Sequence, residues 1–107
     1  MIYLFIHQNF PGQYKHLIRL LADDRQNTVY FISQPNTNWM QDVIKLVYYP
    51  DLVSPVQCHR YTIDFELAVR HGEAVARSLA MLKAQGVTPD IIIGHSGWGE
   101  TLFVKDV

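Results

Sequence analysis

Ile2-Tyr3-Leu4-Phe5-Ile6-His7-Gln8-Asn9-Phe10-Pro11-Gly12-Gln13 opens the chain and decides its fold. The continuous apolar run Ile2 to Ile6 is rich in strand-forming residues. Such a run suits a strand buried on both faces, the situation inside a parallel sheet. A polar loop with Pro11 and Gly12 follows. Tyr14, Leu17, Ile18 and Leu21 then recur at helical spacing, with Lys15, His16 and Arg19 on other faces. This helix is expected to stop between Asp23 and Gln26.

The same alternation continues outward. Thr28 to Ser33 reads as a second strand, and Gln34 to Asn38 as turn chemistry. Trp39 to Asp42 is expected to form a short helical turn, and Val43 to Tyr49 a weaker strand closed by Pro50. Asp51 to His59, with Pro55, reads as an irregular loop. From Ile63 a helical stripe runs through Phe65, Ala68, Val69, Gly72, Val75, Ala76, Leu79 and Leu82, and Gly86 stops it. Ile91 to Ile93 is a third buried strand. It opens into Gly94-His95-Ser96-Gly97-Trp98-Gly99, and a further helix is expected from Glu100. Strands alternating with helices imply βαβ units with right-handed crossovers. The expected fold is a Rossmann-like, three-layer α/β domain with a parallel sheet, residues 1–107 forming a single unit. Later βα units of such a sheet do not follow, so the chain reads as the front part of a larger domain. The alternative is a small complete domain ending in a helix.

Composition narrows the function. Hydrophobic residues make up 49% and charged residues 18%, as in a globular protein. Nine Lys and Arg against ten Asp and Glu leave no basic footprint for nucleic acid. The single cysteine, Cys58, excludes an intrachain disulfide and fits a reducing compartment. No apolar run approaches the ~20 residues of a membrane span, and no basic n-region precedes Ile2. A cytoplasmic location is expected, with peripheral attachment at the inner face of the membrane as the alternative.

In an open parallel sheet, ligands bind beyond the carboxyl ends of the strands. Two loops leave those ends here, His7 to Gln13 and Gly94 to Gly99, and each carries a histidine. If their strands are neighbours, both loops border one crevice. Gly12 lets backbone approach a ligand near a helix start, where phosphate is favoured. His95 can donate to a hydroxyl or an anion or act as a base; otherwise it bonds to nearby backbone. His7 has the same two readings. Trp98 is a stacking wall or a cover for the core. Glu100 is expected to cap its own helix, and His16, His59 and His71 to be solvated. His7, His95 and Glu100 could ligate zinc, but no HxxxH or CxxC spacing supports it. Neither GxGxxG nor a Walker lysine is present. Gly94 to Trp98 approaches a GxSxG nucleophile elbow with Ser96 as nucleophile, but Trp98 stands where the second glycine belongs.

Ile2 to Tyr14, Asp64-Phe65-Glu66, Gly72 to Ala76 and Pro89 to Glu100 together resemble the acceptor-side domain of a bacterial subgroup of family 4 glycosyltransferases. The resemblance implies a GT-B architecture, with the active site between two Rossmann-like domains. It implies transfer with retention from a nucleotide-sugar donor to an acceptor that the sequence does not identify, and no cofactor or bound metal. Gly12 would lie near the donor phosphates or the reacting sugar, Pro11 would stiffen the first loop, and His95 would meet the transferred sugar. The family's first loop more usually has paired glycines, where this chain has Pro11-Gly12. Candidate positions are thus His95 for catalysis, and Pro11, Gly12, His7, Ser96, Gly97 and Trp98 for substrate or donor. The donor glutamates belong to a C-terminal domain outside these residues, so residues 1–107 alone are expected to be inactive. Self-association through exposed strand edges is also expected. A non-catalytic binding module on the same fold and a serine hydrolase are the alternatives. A second Rossmann-like half in frame after Val107 would favour the transferase, and labelling of Ser96 by an activated-serine probe the hydrolase.

Overall fold

The computed structural model describes residues 1–52 and 57–107. Among these residues, β1 (Ile2–Ile6), β2 (Thr28–Ser33), β3 (Val43–Val47) and β4 (Ile91–Gly94) form one sheet in the order β3-β2-β1-β4. Every neighbouring pair is parallel. Helix α1 (Lys15–Ala22), entered through a 3-10 turn at Gly12–Tyr14, lies between β1 and β2 in sequence, and α2 (Ile63–Ala84) precedes β4. This is the Rossmann-like α/β arrangement that the apolar runs predict.

Strand pleating distributes β1 between two cores. Leu4 and Ile6 pack with Ile32 beneath Ala74, Val75, Leu79 and Leu82 of α2. Phe5 faces the other way, with Val29 and Phe31, beneath Ile18 and Ala22 of α1. Phe31 is fully buried, stacks on Phe5 at 6.2 Å and meets Phe10 edge-on at 4.8 Å. Truncating such a residue to alanine costs about 3–5 kcal/mol.

The strand order carries the functional consequence. The chain steps from β1 to β2 to β3 in one direction. It then returns by way of α2 to β4, on the free side of β1. The order therefore reverses between β1 and β4. At such a switch point the two following loops turn to opposite faces and leave a crevice between them.

Several expectations need correction. Among the described residues, no α-helix follows Glu100. Hydrogen bonds from Leu102 N–H to Gly99, from Val104 to Thr101 and from Asp106 to Phe103 each span three residues, ending in a 3-10 turn at Val104–Asp106. Phe65 is 70% exposed, although its spacing puts it on the apolar stripe. A helix of 22 residues spans about 33 Å, whereas a five-residue strand spans about 17 Å. The first turns of α2 therefore outrun the sheet, and burial begins at Gly72. Leu17 is likewise 40% exposed, and β4, expected to be buried, stands at the sheet edge with Ile91 40% and Ile92 39% exposed. Ala74 and Ser78 are buried on α2 where Ala76 was expected. Trp39 to Asp42 forms no helix, and Asp42 has φ 62°. β3 ends at Val47, two residues before the expected Tyr49. Part of the Asp51–His59 loop, including Pro55, lies outside the described residues.

Candidate functional site

β1 and β4 pair in parallel with Ile6 opposite Gly94, so His7 and His95 leave the sheet side by side. Their rings lie 4.7 Å apart between centroids. Both carry the same local bond. Asn9 N–H donates to His7 Nδ1 at 2.9 Å, and Gly97 N–H donates to His95 Nδ1 at 3.3 Å. A nitrogen that accepts carries no proton, so each neutral ring carries its proton on Nε2. The pair is thus two N–H donors with their acceptor sides already occupied.

His7 is 8% exposed, and the edge of Tyr14 packs against it. Burial pulls its pKa below the ordinary histidine range, and His95 lowers it further; the Glu100 charge and the Asn9 contact act the other way. His7 is therefore held neutral near pH 7. Gly12, at φ 59°, sits against the His7 ring, where an added Cβ would stand 3.0 Å from Cγ. The peptide bond between Phe10 and Pro11 is cis. Gly97 has the matching position under His95, where a Cβ would stand 2.5 Å from Cε1. Each histidine thus rests on a glycine of its own loop.

The first loop is braced from β3. Asn36 and Asn38 both donate to the Phe10 carbonyl at 3.1 Å. Lys45 Nζ donates to Asn36 O at 2.9 Å, Asn36 Oδ1 at 2.6 Å and Asn38 O at 2.9 Å, and lies over the Phe10 ring. The polar run read from the sequence only as turn chemistry therefore holds Pro11 and Gly12 in place.

The β4 loop is held by backbone proximity. Gly99 has φ 97°, and a Cβ there would overlap the Ala68 backbone of α2. A Cβ on Gly72 would lie 2.7 Å from the Gly99 carbonyl. Glycine at both positions lets loop and helix touch. Trp98 is 54% exposed, and Ser96 is also exposed. Among the described residues, no hydrogen bond joins Ser96 to a histidine.

Glu100 departs most from expectation. It caps no helix and is fully buried. Tyr48 donates a long bond, 3.5 Å, to Glu100 Oε1, while Oε2 has no partner among the described residues. Tyr48 Oη also lies 3.1 Å from His71 Nδ1, so His71 is half-buried and bonded where solvation was expected. Burial, then the charge of Glu100 and the bond to it, push the Tyr48 hydroxyl pKa upward and keep it protonated. Sequence reasoning missed this chain. Its available signal was positional: Tyr48 follows the carboxyl end of a parallel strand, as His7 and His95 do. Among the described residues, no three His, Cys, Asp or Glu side chains are grouped to hold a metal ion. Nor is any helix of theirs long and apolar enough to cross a membrane.

A parallel sheet with a helix packed on each face, and paired histidines at its switch point, defines a Rossmann-like α/β domain. The sequence model of the glycosyl transferase family 4 group matches residues 25–107, and the chain belongs to that group. The match takes in the β4 loop and α2, while the His7 to Gln13 loop precedes it. No curated protein and no solved structure matches the chain. The family supports a glycosyltransferase kind of function.

Proposed function

We propose that this chain is the acceptor-side half of a retaining, GT-B glycosyltransferase that moves a sugar from a nucleotide-sugar donor to an acceptor. The observation that carries the reading is the His7–His95 pair at the switch point, with both Nε2 protons left for a ligand. Ring N–H donors of this kind suit sugar hydroxyls and phosphate oxygens. In this reading His95 meets the transferred sugar. His7, Pro11 and Gly12 border the donor phosphates, and Ser96, Gly97 and Trp98 form the opposite wall. A second Rossmann-like domain completes the cleft and holds most of the donor. Family membership supports the chemistry, and the parallel alignment of β1 and β4 supports the shared cleft.

The test is transfer of radiolabelled sugar from a panel of nucleotide-sugars by the chain joined to its donor-side domain. His95→Ala is expected to lower kcat about 100-fold, as loss of one positioned donor does elsewhere. Residues 1–107 alone are expected to show no turnover, because positioning by both halves supplies much of catalysis. Full activity in His95→Ala, or turnover by residues 1–107 equal to the two-domain enzyme, would overturn the reading.

A further inference from the structure

We propose that the pocket between the first half of α2 and the β4 loop is a binding subsite for a neutral sugar or similar polyol. That this ligand is the acceptor rests on the function proposed above; the subsite itself does not. The pocket holds about 400 Å³, within the ~300–1,000 Å³ of small-molecule sites. Asp64, Leu67, Ala68 and His71 of α2 line one side, Gly97 and Trp98 the other. It adjoins the histidine pair, because Gly97 both lines it and packs under His95.

Three features select the ligand class. Trp98 offers a partly exposed aromatic surface, suited to the apolar C–H face of a sugar ring. Asp64 offers carboxylate oxygens, which accept hydrogen bonds from hydroxyls. His71 offers its second ring nitrogen. Tyr48 places its one proton towards Glu100 Oε1, so its oxygen accepts from His71 Nδ1–H and leaves His71 Nε2 as an acceptor. The fully buried Glu100 carboxyl, which accepts from Tyr48 through Oε1, is what orients this relay. Two acceptors beside an aromatic face match a ligand rich in hydroxyl donors. No Lys or Arg lines the pocket among the described residues, and the Asp64 carboxylate disfavours a phosphorylated or carboxylated ligand.

The larger hollows lack this combination. One of about 720 Å³, lined in part by Asp23, Arg25, Asp42 and Ile44, lies at the amino ends of β2 and β3, where strand order creates no crevice. Another, beside Lys15 and Trp39, is lined by a cation, so its ligand chemistry differs.

The experiment is a titration of the 107-residue chain, followed through its two tryptophan indole N–H signals by NMR, with Trp39→Phe assigning them. The probes are the methyl glycosides of glucose, galactose and mannose, myo-inositol, and glucose 1-phosphate. At least one neutral probe is expected to shift the Trp98 signal saturably in the millimolar range. Asp64→Ala and His71→Ala are each expected to weaken it about tenfold. Asp64 is exposed, so its variant keeps the test valid if His71→Ala does not fold. The proposal falls if no neutral probe saturates by tens of millimolar. It also falls if glucose 1-phosphate binds more tightly than every neutral probe, if Trp39 responds instead, or if Asp64→Ala binds unchanged. Saturable binding in a protein that fails the transfer assay would remove the acceptor role and leave the subsite. Transfer without such binding would remove the subsite alone.

Discussion

His7 and His95, 88 residues apart in sequence, face each other with ring centroids 4.7 Å apart because Ile6 and Gly94 are register partners in neighbouring parallel strands. Each ring is fixed by the backbone N–H two residues further on. The pair is therefore preorganised by the sheet before any ligand arrives.

The burial of His7 makes stability depend on pH. An unfolded histidine takes up its proton near pH 6.5, while His7 in the fold takes it up only at lower pH. Between those two values the unfolded chain holds more protons, so stability falls as pH falls. Thermal unfolding between about pH 8 and about pH 5 should show a smaller loss for His7→Asn than for the parent chain. Equal slopes would exclude this linkage.

Glu100 is expected to cost stability. A buried carboxyl held by one long bond, with its second oxygen unpartnered among the described residues, is poorly compensated. Glu100→Gln should raise stability by about 1 kcal/mol, and Tm by about 4–8 °C. It should also lower the His7 titration midpoint further, since the Glu100 charge raises it. A fall in Tm would mean that the carboxyl has better partners than Tyr48.

Two glycines with positive φ should differ in what substitution costs. Gly99→Ala forces a Cβ into the backbone of α2 and should cost about 3 kcal/mol or more in urea unfolding. Gly86, at φ 81°, has open space around it, so its alanine variant should cost only about 1 kcal/mol. Similar losses at both positions would refute the close approach of loop and helix.

Gly97→Ala should displace His95 without unfolding the chain. The new Cβ would stand 2.5 Å from His95 Cε1, yet Gly97 lies on an exposed loop. The His95 ring resonances should move, Tm should change little, and transfer by the two-domain enzyme should fall about as far as in His95→Ala. Unmoved His95 resonances would count against the packing described.

Lys45→Met should loosen the first loop from a distance. It removes an ammonium shared by three oxygens of the 34–42 loop, at a cost of about 2 kcal/mol. Amide exchange should speed up at Asn36, Asn38 and Gly12, but not at Val75 in α2. A uniform increase would indicate global destabilisation instead.

Much of the fold was legible because it follows from local pattern. Ile2 to Ile6 and Ile91 to Ile93 are apolar without alternation, which suits a parallel sheet, and both are parallel strands, although β4 at the edge leaves Ile91 and Ile92 exposed. Thr28 to Ser33 and Ile63 to Gly86 announce their own limits through flanking turn residues and a stop glycine. Strand-end position then singled out the loops of His7 and His95, whose rings the parallel pairing of β1 and β4 brings together. Tertiary structure alone decided the rest. Tyr48 and Glu100 are 52 residues apart and meet only when β3 and the β4 loop are brought together, so no periodicity could show their bond. Glu100 follows a glycine pressed onto α2, and that contact turns its side chain inward where local pattern reads a solvent-facing helix cap. Phe65 has the spacing of a core residue but lies where α2 outruns the sheet. Periodicity reports which face of an element is apolar. What that face meets is set by the lengths and order of elements distant in sequence.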